Sequence, residues 1–424
     1  MDSSLGGRGA DAVAEREPGE ATVRSGDEAL KLFLYVVVLF SFFRYLHDLV
    51  KFLASSPFID FAHYYTFATV VSLGLDPFDP QAVSRVDSML NIRRAGSAAN
   101  YPPLFYLIMQ PWTLLPFHYA KVAWVFAGQV CLLGSFFVCF RQIAAASPVR
   151  VAAVLFVVLN YQPLAEDIAL GQSNLMLLLL LTVAWWGLRA GHPWASAAAI
   201  AMTVHVKVQF GLLLLLLWWM GYRTVSARAL LLAGLGLGAS LIVLGSAQHL
   251  EYLRYVTALP DYLLTWTANI SLRATLHRLF EMPGLGRAIT DGLWLAFGAG
   301  ILFLLARAIP RAIASSSPAL DRAWGLGLAA ILLLSPLTEE HHLVVLLLPL
   351  TLLLLDQAHT PLPTREMAVL VGSVLLLGSR YSLEQFPAFH HGALSLLMTG
   401  KLVGVMGLAW VLALRLRVVN GREG

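Results

Sequence analysis

The chain has 424 residues, of which 58% are hydrophobic and 13% charged, with a formal net charge of +4. A soluble domain carries roughly 25% charge and 45–50% apolar residues, and a single soluble core stops growing near roughly 250–300 residues, so lipid must solvate much of this surface. The basic residues are scattered between apolar stretches rather than gathered on one face, which argues against a nucleic-acid partner and reads as a topology signal. Cys131 and Cys139 share one apolar stretch, where thiols behave as small hydrophobes, and no disulfide framework follows.

In chain order, residues 1–28 are rich in Gly, Ala, Glu, Asp and Arg and are expected to form a disordered cytoplasmic tail. The first apolar stretch is too long and too late for a cleaved signal peptide, so it is expected as a retained span. Residues 29–424 then read as one all-α, polytopic transmembrane helical bundle of about 12 spans, each needing roughly 20 apolar residues. Candidate spans lie near 31–50, 120–140, 150–165, 173–189, 193–206, 207–222, 228–246, 287–308, 323–337, 342–357, 366–380 and 397–418. The stretch 102–118 holds Pro102, Pro103, Pro111 and Pro116 and reads as re-entrant or interfacial. Arg8, Arg16, Arg24, Arg141, Arg150, Arg223, Arg228, Arg307, Arg311, Arg322, Arg415, Arg417 and Arg422 fall at one set of loops and at both ends. Placing them inside puts both termini in the cytoplasm. Parity then puts outside a first loop at 51–101, turns at 166–174 and 205–207, a second loop at 247–286, and the segments 339–342 and 381–396.

Nearly every unusual polar cluster falls on that outer face. Asp60, about ten residues past the first span, is a candidate general base if burial or neighbours tune its pKa; the alternative is a helix cap or a solvated acid. Tyr64, Tyr65, Tyr101 and Tyr106 suit either a sugar ring or an aromatic belt at the lipid–water boundary. Gln172 and Asn174, in GQSN, can hydrogen-bond sugar hydroxyls or phosphate oxygens, or Ser173 and Asn174 simply cap a helix. Lys207 sits between two apolar segments; a Lys at membrane depth faces a cavity or a charged group, with lipid phosphate a natural partner, unless it snorkels to the headgroups. Arg273 and Arg278 can bracket a phosphate or belong to a basic amphipathic helix in the membrane plane. SPLTEEHH at 335–342 places four ionisable residues at a span boundary. Adjacent histidines lack the i, i+4 spacing of a helical zinc pair, so no metal is expected.

The order of DFAHYYTFATVVSLGLDPFDP, YPPLFY, GQSN, KVQFGLLLLLL, NISLRATLHRL and SPLTEEHH, over residues 60–342, resembles the polyprenol-phosphate-mannose-dependent mannosyltransferases of glycosyltransferase family 87, within the GT-C superfamily. The resemblance implies an extracytoplasmic active site, with Asp60 as the catalytic aspartate and His341 or His342 as the site histidine. It makes Lys207, Arg273 and Arg278 candidates for the donor phosphate. Asn269 and Ser271 match the family's N-x-S segment, with Ile270 where Gln is common, and Glu339 stands where the family usually carries Trp. Together with the polar residues above, the substrate-binding set is Tyr64, Tyr101, Gln172, Asn174, Lys207, Asn269, Arg273, Arg278 and Glu340. The implied reaction is inverting transfer of a hexose, mannose by resemblance, from a polyprenol-phosphate donor to a glycolipid or glycan acceptor in the cell envelope, without a cofactor. The competing readings are a lipid-linked glycan ligase or polymerase and a lipid or sugar transporter or flippase, which predicts polar groups near mid-membrane with access from both faces.

Overall fold

The computed structural model describes residues 18–92, 94, 99–143, 147–257, 261–280, 286–356, 361–380 and 383–423. Regular structure among them is entirely helical. The chain runs through α1 (Pro18–Ser55), α2 (Ile59–Ser72), α3 (Pro80–Leu90) and α4 (Pro103–Met109), then α5 (Phe117–Gln142), α6 (Pro148–Leu159), α7 (Gln162–Leu170), α8 (Asn174–Arg189) and α9 (Pro193–Val206). It continues through α10 (Leu212–Trp219), α11 (Arg223–Leu244), α12 (Ser246–Thr257), α13 (Asp261–Thr265), α14 (Leu272–Leu279) and α15 (Gly286–Ala308). The last elements are α16 (Pro318–Leu334), α17 (Leu347–Asp356), α18 (Thr364–Gly378) and α19 (Gly400–Glu423). Of the expected tail, residues 18–28 already belong to α1, while 1–17 lie outside the described residues.

Five stretches are long and apolar enough to cross a membrane: Lys31–Ser55, Phe117–Gln142, Arg223–Leu244, Gly286–Ala308 and Ala393–Val418. The pair α6–α7, bent by 48°, makes a sixth if it is one span. These helices leave large apolar side chains uncovered, among them Phe33, Phe40, Phe303 and Ile242. Lipid is the solvent that such a surface requires, and the chain is a multi-pass membrane protein. The count of about 12 spans is not reproduced. Helices α9, α16, α17 and α18 have 14, 17, 10 and 15 residues, and at about 1.5 Å per residue each is shorter than a hydrocarbon core of ~30 Å.

One expected turn is also absent. Ser226 Oγ of α11 donates to Leu214 O at 2.9 Å, and His205 Nε2 lies 3.1 Å from Ala233 O. Advancing along α11 therefore retreats through α10 and then α9, so both lie on one line antiparallel to α11. The segment 205–207 is a break in that line rather than a hairpin. This merges two expected spans and removes the parity on which the side of each loop was assigned.

The segment 102–118 holds α4 and a 3₁₀ turn at Gln110–Leu114, seven and five residues long and too short to cross. Residues 51–101 are not an open loop. Helix α2 is buried from Phe61 through Val71 and packs against α3, α4, α5 and α7. Its apolar and aromatic residues cover every face. Phe61 stacks on Trp124 with centroids 5.2 Å apart, and Tyr64 meets Phe105 edge-on at 5.0 Å. Full burial of each such ring stabilises the fold by about 1.5–3 kcal/mol.

Candidate active site

Two backbone features set the position of Asp60. Phe58, which precedes α2, has φ 50°, a left-handed conformation that costs a residue with a Cβ roughly 1–2 kcal/mol. Complete burial of its ring offsets that cost. Such strain is found where the chain over-determines a functional position, and here it turns α2 so that Asp60 lies in the first turn. Across from it, Gly171 ends α7 with φ 74°. A Cβ there would lie 2.6 Å from Phe61 Cβ and 2.8 Å from Phe58 Cδ1, so only glycine lets α7 approach α2 this closely. Trp124 Nε1 donates to Gly171 O at 3.0 Å and holds the turn.

That turn delivers Gln172 and Asn174. Tyr64 Oη donates to Gln172 Oε1 at 2.7 Å, and the Tyr64 and Tyr101 hydroxyls are 2.7 Å apart. Gln172 also hydrogen-bonds the Asp60 carboxylate. Asn174 Nδ2 donates to Asp167 Oδ1 at 2.8 Å, and Lys207 Nζ donates to Asn174 Oδ1 at 2.9 Å. Asp167, Asn174 and Lys207 are all buried. Lys207 occupies the extended break after α9, where an ammonium can leave the helical line and face inward. It lies within electrostatic reach of Glu339, Asp167 and Asp60. Burial pushes the Asp60 carboxyl up to about 6, against the Gln172 hydrogen bond and the Lys207 charge, which lower it. Burial, followed by the Asp60 charge, pushes Glu339 up as well.

The segment after α16 brings in Glu339, His341 and His342. Glu339 N donates to His342 Nδ1 at 3.0 Å, and the Glu339 side chain accepts from the His342 backbone, a reciprocal cap on the 3₁₀ helix Glu340–Leu346. His342 is thus tied into the backbone. His341 is buried, and neither of its ring nitrogens has a hydrogen-bond partner among the described residues. The two rings meet edge-on with centroids 4.5 Å apart. One ligand atom from each of Glu339, His341 and His342 lies within 4.8 Å of the others, a grouping that the residue spacing argued against.

The NIS segment anchors this region. Asn269 Nδ2 donates to Leu263 O at 2.8 Å and to Pro336 O at 3.3 Å, while its Oδ1 accepts from Ser271 N and Thr338 N. Ser271 Oγ donates to Pro336 O at 2.9 Å. Asn269 and Ser271 therefore hold the strand of backbone that carries Glu339.

Three expected contacts go elsewhere. Arg273 makes a two-pronged pair with Asp291 of α15, at 2.7 and 2.8 Å, where His277 also binds. Arg278 is buried and donates to Trp266 O and Asn269 O, propping the NIS loop from behind. Glu340 points away from Asp60 and pairs with Lys401 at 2.7 Å. The carboxylate that faces Asp60 is its neighbour Glu339. Asp167 was also not singled out from the sequence; its signal was an acidic pair, Glu166–Asp167, inside an otherwise apolar stretch.

The arrangement can take a proton at Asp60, hold an anion at Lys207 and offer hydroxyl and amide groups to a polar ligand. Fold and site together define a multi-pass membrane protein with a buried acid–base cluster. The chain belongs to glycosyltransferase family 87, whose model matches residues 100–336, more than half of its length; it is a glycosyltransferase, acting on a sugar donor and an acceptor, and a GT-C fold is consistent with that. The match spans Tyr101, Gln172, Asn174, Lys207 and Asn269, and leaves Asp60, Tyr64 and Glu339–His342 outside it. No curated protein and no solved structure matches the chain.

Proposed function

We propose that this glycosyltransferase moves a hexose, mannose by family resemblance, from a polyprenol-phosphate donor to an acceptor hydroxyl at the extracytoplasmic face, with inversion at the anomeric carbon. The observation that carries this reading is the juxtaposition of Asp60 and Lys207. A carboxyl tuned to about 6 is ionised at neutral pH yet basic enough to accept a proton, as general-base catalysis requires. Among the described residues Lys207 has a single hydrogen-bond acceptor, Asn174, so its ammonium keeps donors for phosphate oxygens.

In the reaction, Asp60 takes the proton from the acceptor hydroxyl as its oxygen bonds to the anomeric carbon. The bond from that carbon to the phosphate oxygen breaks, the phosphate leaves with the electron pair, and Lys207 stabilises its growing charge. Displacement in one step inverts the centre, so a β-linked donor gives an α-glycoside. Tyr64, Tyr101 and Gln172 hold the sugar, and His341 lines the site. An apolar groove supports a lipid-linked donor: it lies between α10, α15 and α16 and is lined by Leu212 and Leu334, close in sequence to Lys207 and to the Glu339 segment.

The test is transfer from radiolabelled polyprenol-phosphate mannose by membranes containing wild-type chain or Asp60→Asn. Transfer to an α-linked product that the substitution abolishes at equal protein level supports the reading. Equal transfer by both removes Asp60 from the chemistry. Absence of transfer by wild type rejects this donor and moves weight to a glycan ligase or a flippase.

A further inference from the structure

Lys207 faces three carboxylates, Asp60, Asp167 and Glu339. Three carboxyls thus share one ammonium, and no other ammonium or guanidinium among the described residues pairs with them. Buried charge of one sign has to be balanced by protons or by a bound cation. The same place holds a second unresolved demand. His341 is 1% exposed, and neither ring nitrogen has a hydrogen-bond partner among the described residues. Leaving a buried polar atom unsatisfied costs about 1–3 kcal/mol, and a neutral imidazole offers a lone pair as a ligand.

We propose that Glu339, His341 and His342 form a divalent-cation site of zinc type on the wall of the active site. Two imidazoles and one carboxylate, with further positions open, are the donor set of zinc centres that bind an exchangeable ligand. Adjacent histidines start far apart around a helix axis, but the side-chain torsions fold these two rings to a centroid distance of 4.5 Å, and Glu339 Oε2 is 3.9 Å from His341 Nδ1. Zinc bonds of about 2.0–2.1 Å require the ligand atoms, now within 4.8 Å of one another, to draw in further. The extended residue Glu339, with its flexible side chain, makes that movement. His342 Nδ1 accepts the Glu339 N–H, so binding exchanges one hydrogen bond, worth about 1 kcal/mol, for a metal–nitrogen bond. A cation there places positive charge beside Lys207, on the side where an anionic ligand docks.

The site is independent of donor and acceptor identity, and its test needs neither. Full-length chain in detergent is stripped with a chelator and titrated with Co²⁺, read by visible absorption, and with Zn²⁺ in competition with a chromophoric chelator. One equivalent is expected per chain, with affinity at least about tenfold weaker in Glu339→Gln and binding lost in His341→Ala. Glu339→Gln keeps an oxygen for the cap, so its apo form should melt with wild type. If His341→Ala does not fold, Glu339→Gln carries the test. Non-saturating binding by wild type, or superimposable isotherms for wild type and Glu339→Gln, overturns the proposal.

Discussion

Lys207 and Lys401 are both buried, both lie where a helix starts or breaks, and both face acids drawn from the same two dipeptides. Glu166 and Glu340 sit with Lys401; Asp167 and Glu339 sit with Lys207. Adjacent residues of a helical segment point apart, so each acidic pair sends one carboxylate to each lysine. The two ammonium groups nevertheless end differently. Lys401 donates to Glu340 Oε1 at 2.7 Å, Leu377 O at 2.8 Å and Ser379 O at 2.6 Å, which uses all three of its donors. Among the described residues Lys207 donates to Asn174 alone. A buried cation with every donor filled ties the fold together, whereas one with donors to spare is prepared for a ligand.

Substitution separates these two roles. Lys207→Met removes the charge that meets the leaving group, and transfer is expected to fall by ~10³-fold, the scale of losing one donor to a developing anion. Its melting temperature should fall less than that of Lys401→Met, because the neighbouring carboxyls, already raised by burial, can take up protons. Lys401→Met strands Glu340 and two carbonyls, and is expected to cost about 3 kcal/mol of stability, as breaking a buried pair does. Transfer per folded molecule should stay near wild type. A thermal melt beside a transfer assay for both variants decides it: if Lys401→Met loses transfer as Lys207→Met does with an unchanged melt, the division is wrong.

Much of the site was legible in the sequence because its parts are polar residues where lipid-facing helices should have none. Asp60, Tyr64, Tyr101, Gln172, Asn174 and Lys207 stand out in that way, and the structure gathers them. What failed to show was pairing. The partner of Arg273 is Asp291, eighteen residues on in a different helix, and local spacing gives no sign of it. Glu339 and Glu340 are adjacent and chemically alike, and only the packing of α19 against the region tells them apart. The break at Lys207 resembles a turn in hydropathy, because a charge between apolar runs looks the same whether the chain reverses or continues. The burial of α2 did carry a signal: IDFAHYYTFATVVS has no polar face, which points to a helix enclosed by protein.

The NIS segment sharpens the comparison from the side of the histidines. Asn269 makes four hydrogen bonds that fix Pro336, Thr338 and its own loop. Asn269→Ala should cost about 2 kcal/mol, on the scale of buried acceptors left unmet. It acts by displacing Glu339, so it should also weaken transfer, whereas Ser271→Ala, which loses one side-chain donor to Pro336 O, should show a smaller shift in the same direction. Equal melts for wild type and Asn269→Ala would mean that the loop is held by other contacts.

The smallest effect, and the most specific, is the pH dependence of Asp60. Its carboxyl moves from 3.8 to about 6 on folding, with burial the largest cause. A base must be ionised, so transfer should be flat above about pH 6 and fall about tenfold per unit below it. Stability has the opposite slope. Between about 4 and 6 the unfolded chain releases a proton that the fold retains, so this group makes the fold less stable as pH rises through that window. Asp60→Asn should abolish that contribution and melt higher than wild type at neutral pH. Lys207 is the cation that lowers this carboxyl, while Glu339 and Asp167 are the acids that share its surroundings. Burial and the Asp60 charge hold Glu339 up at about 8, so it is already protonated where Asp60 titrates, and Glu339→Gln should leave the acid limb of transfer in place. An acid limb near 4 in the wild type would mean that Asp60 is bathed in water during turnover, and the contrast between a satisfied and a poised lysine would then have to stand without its base.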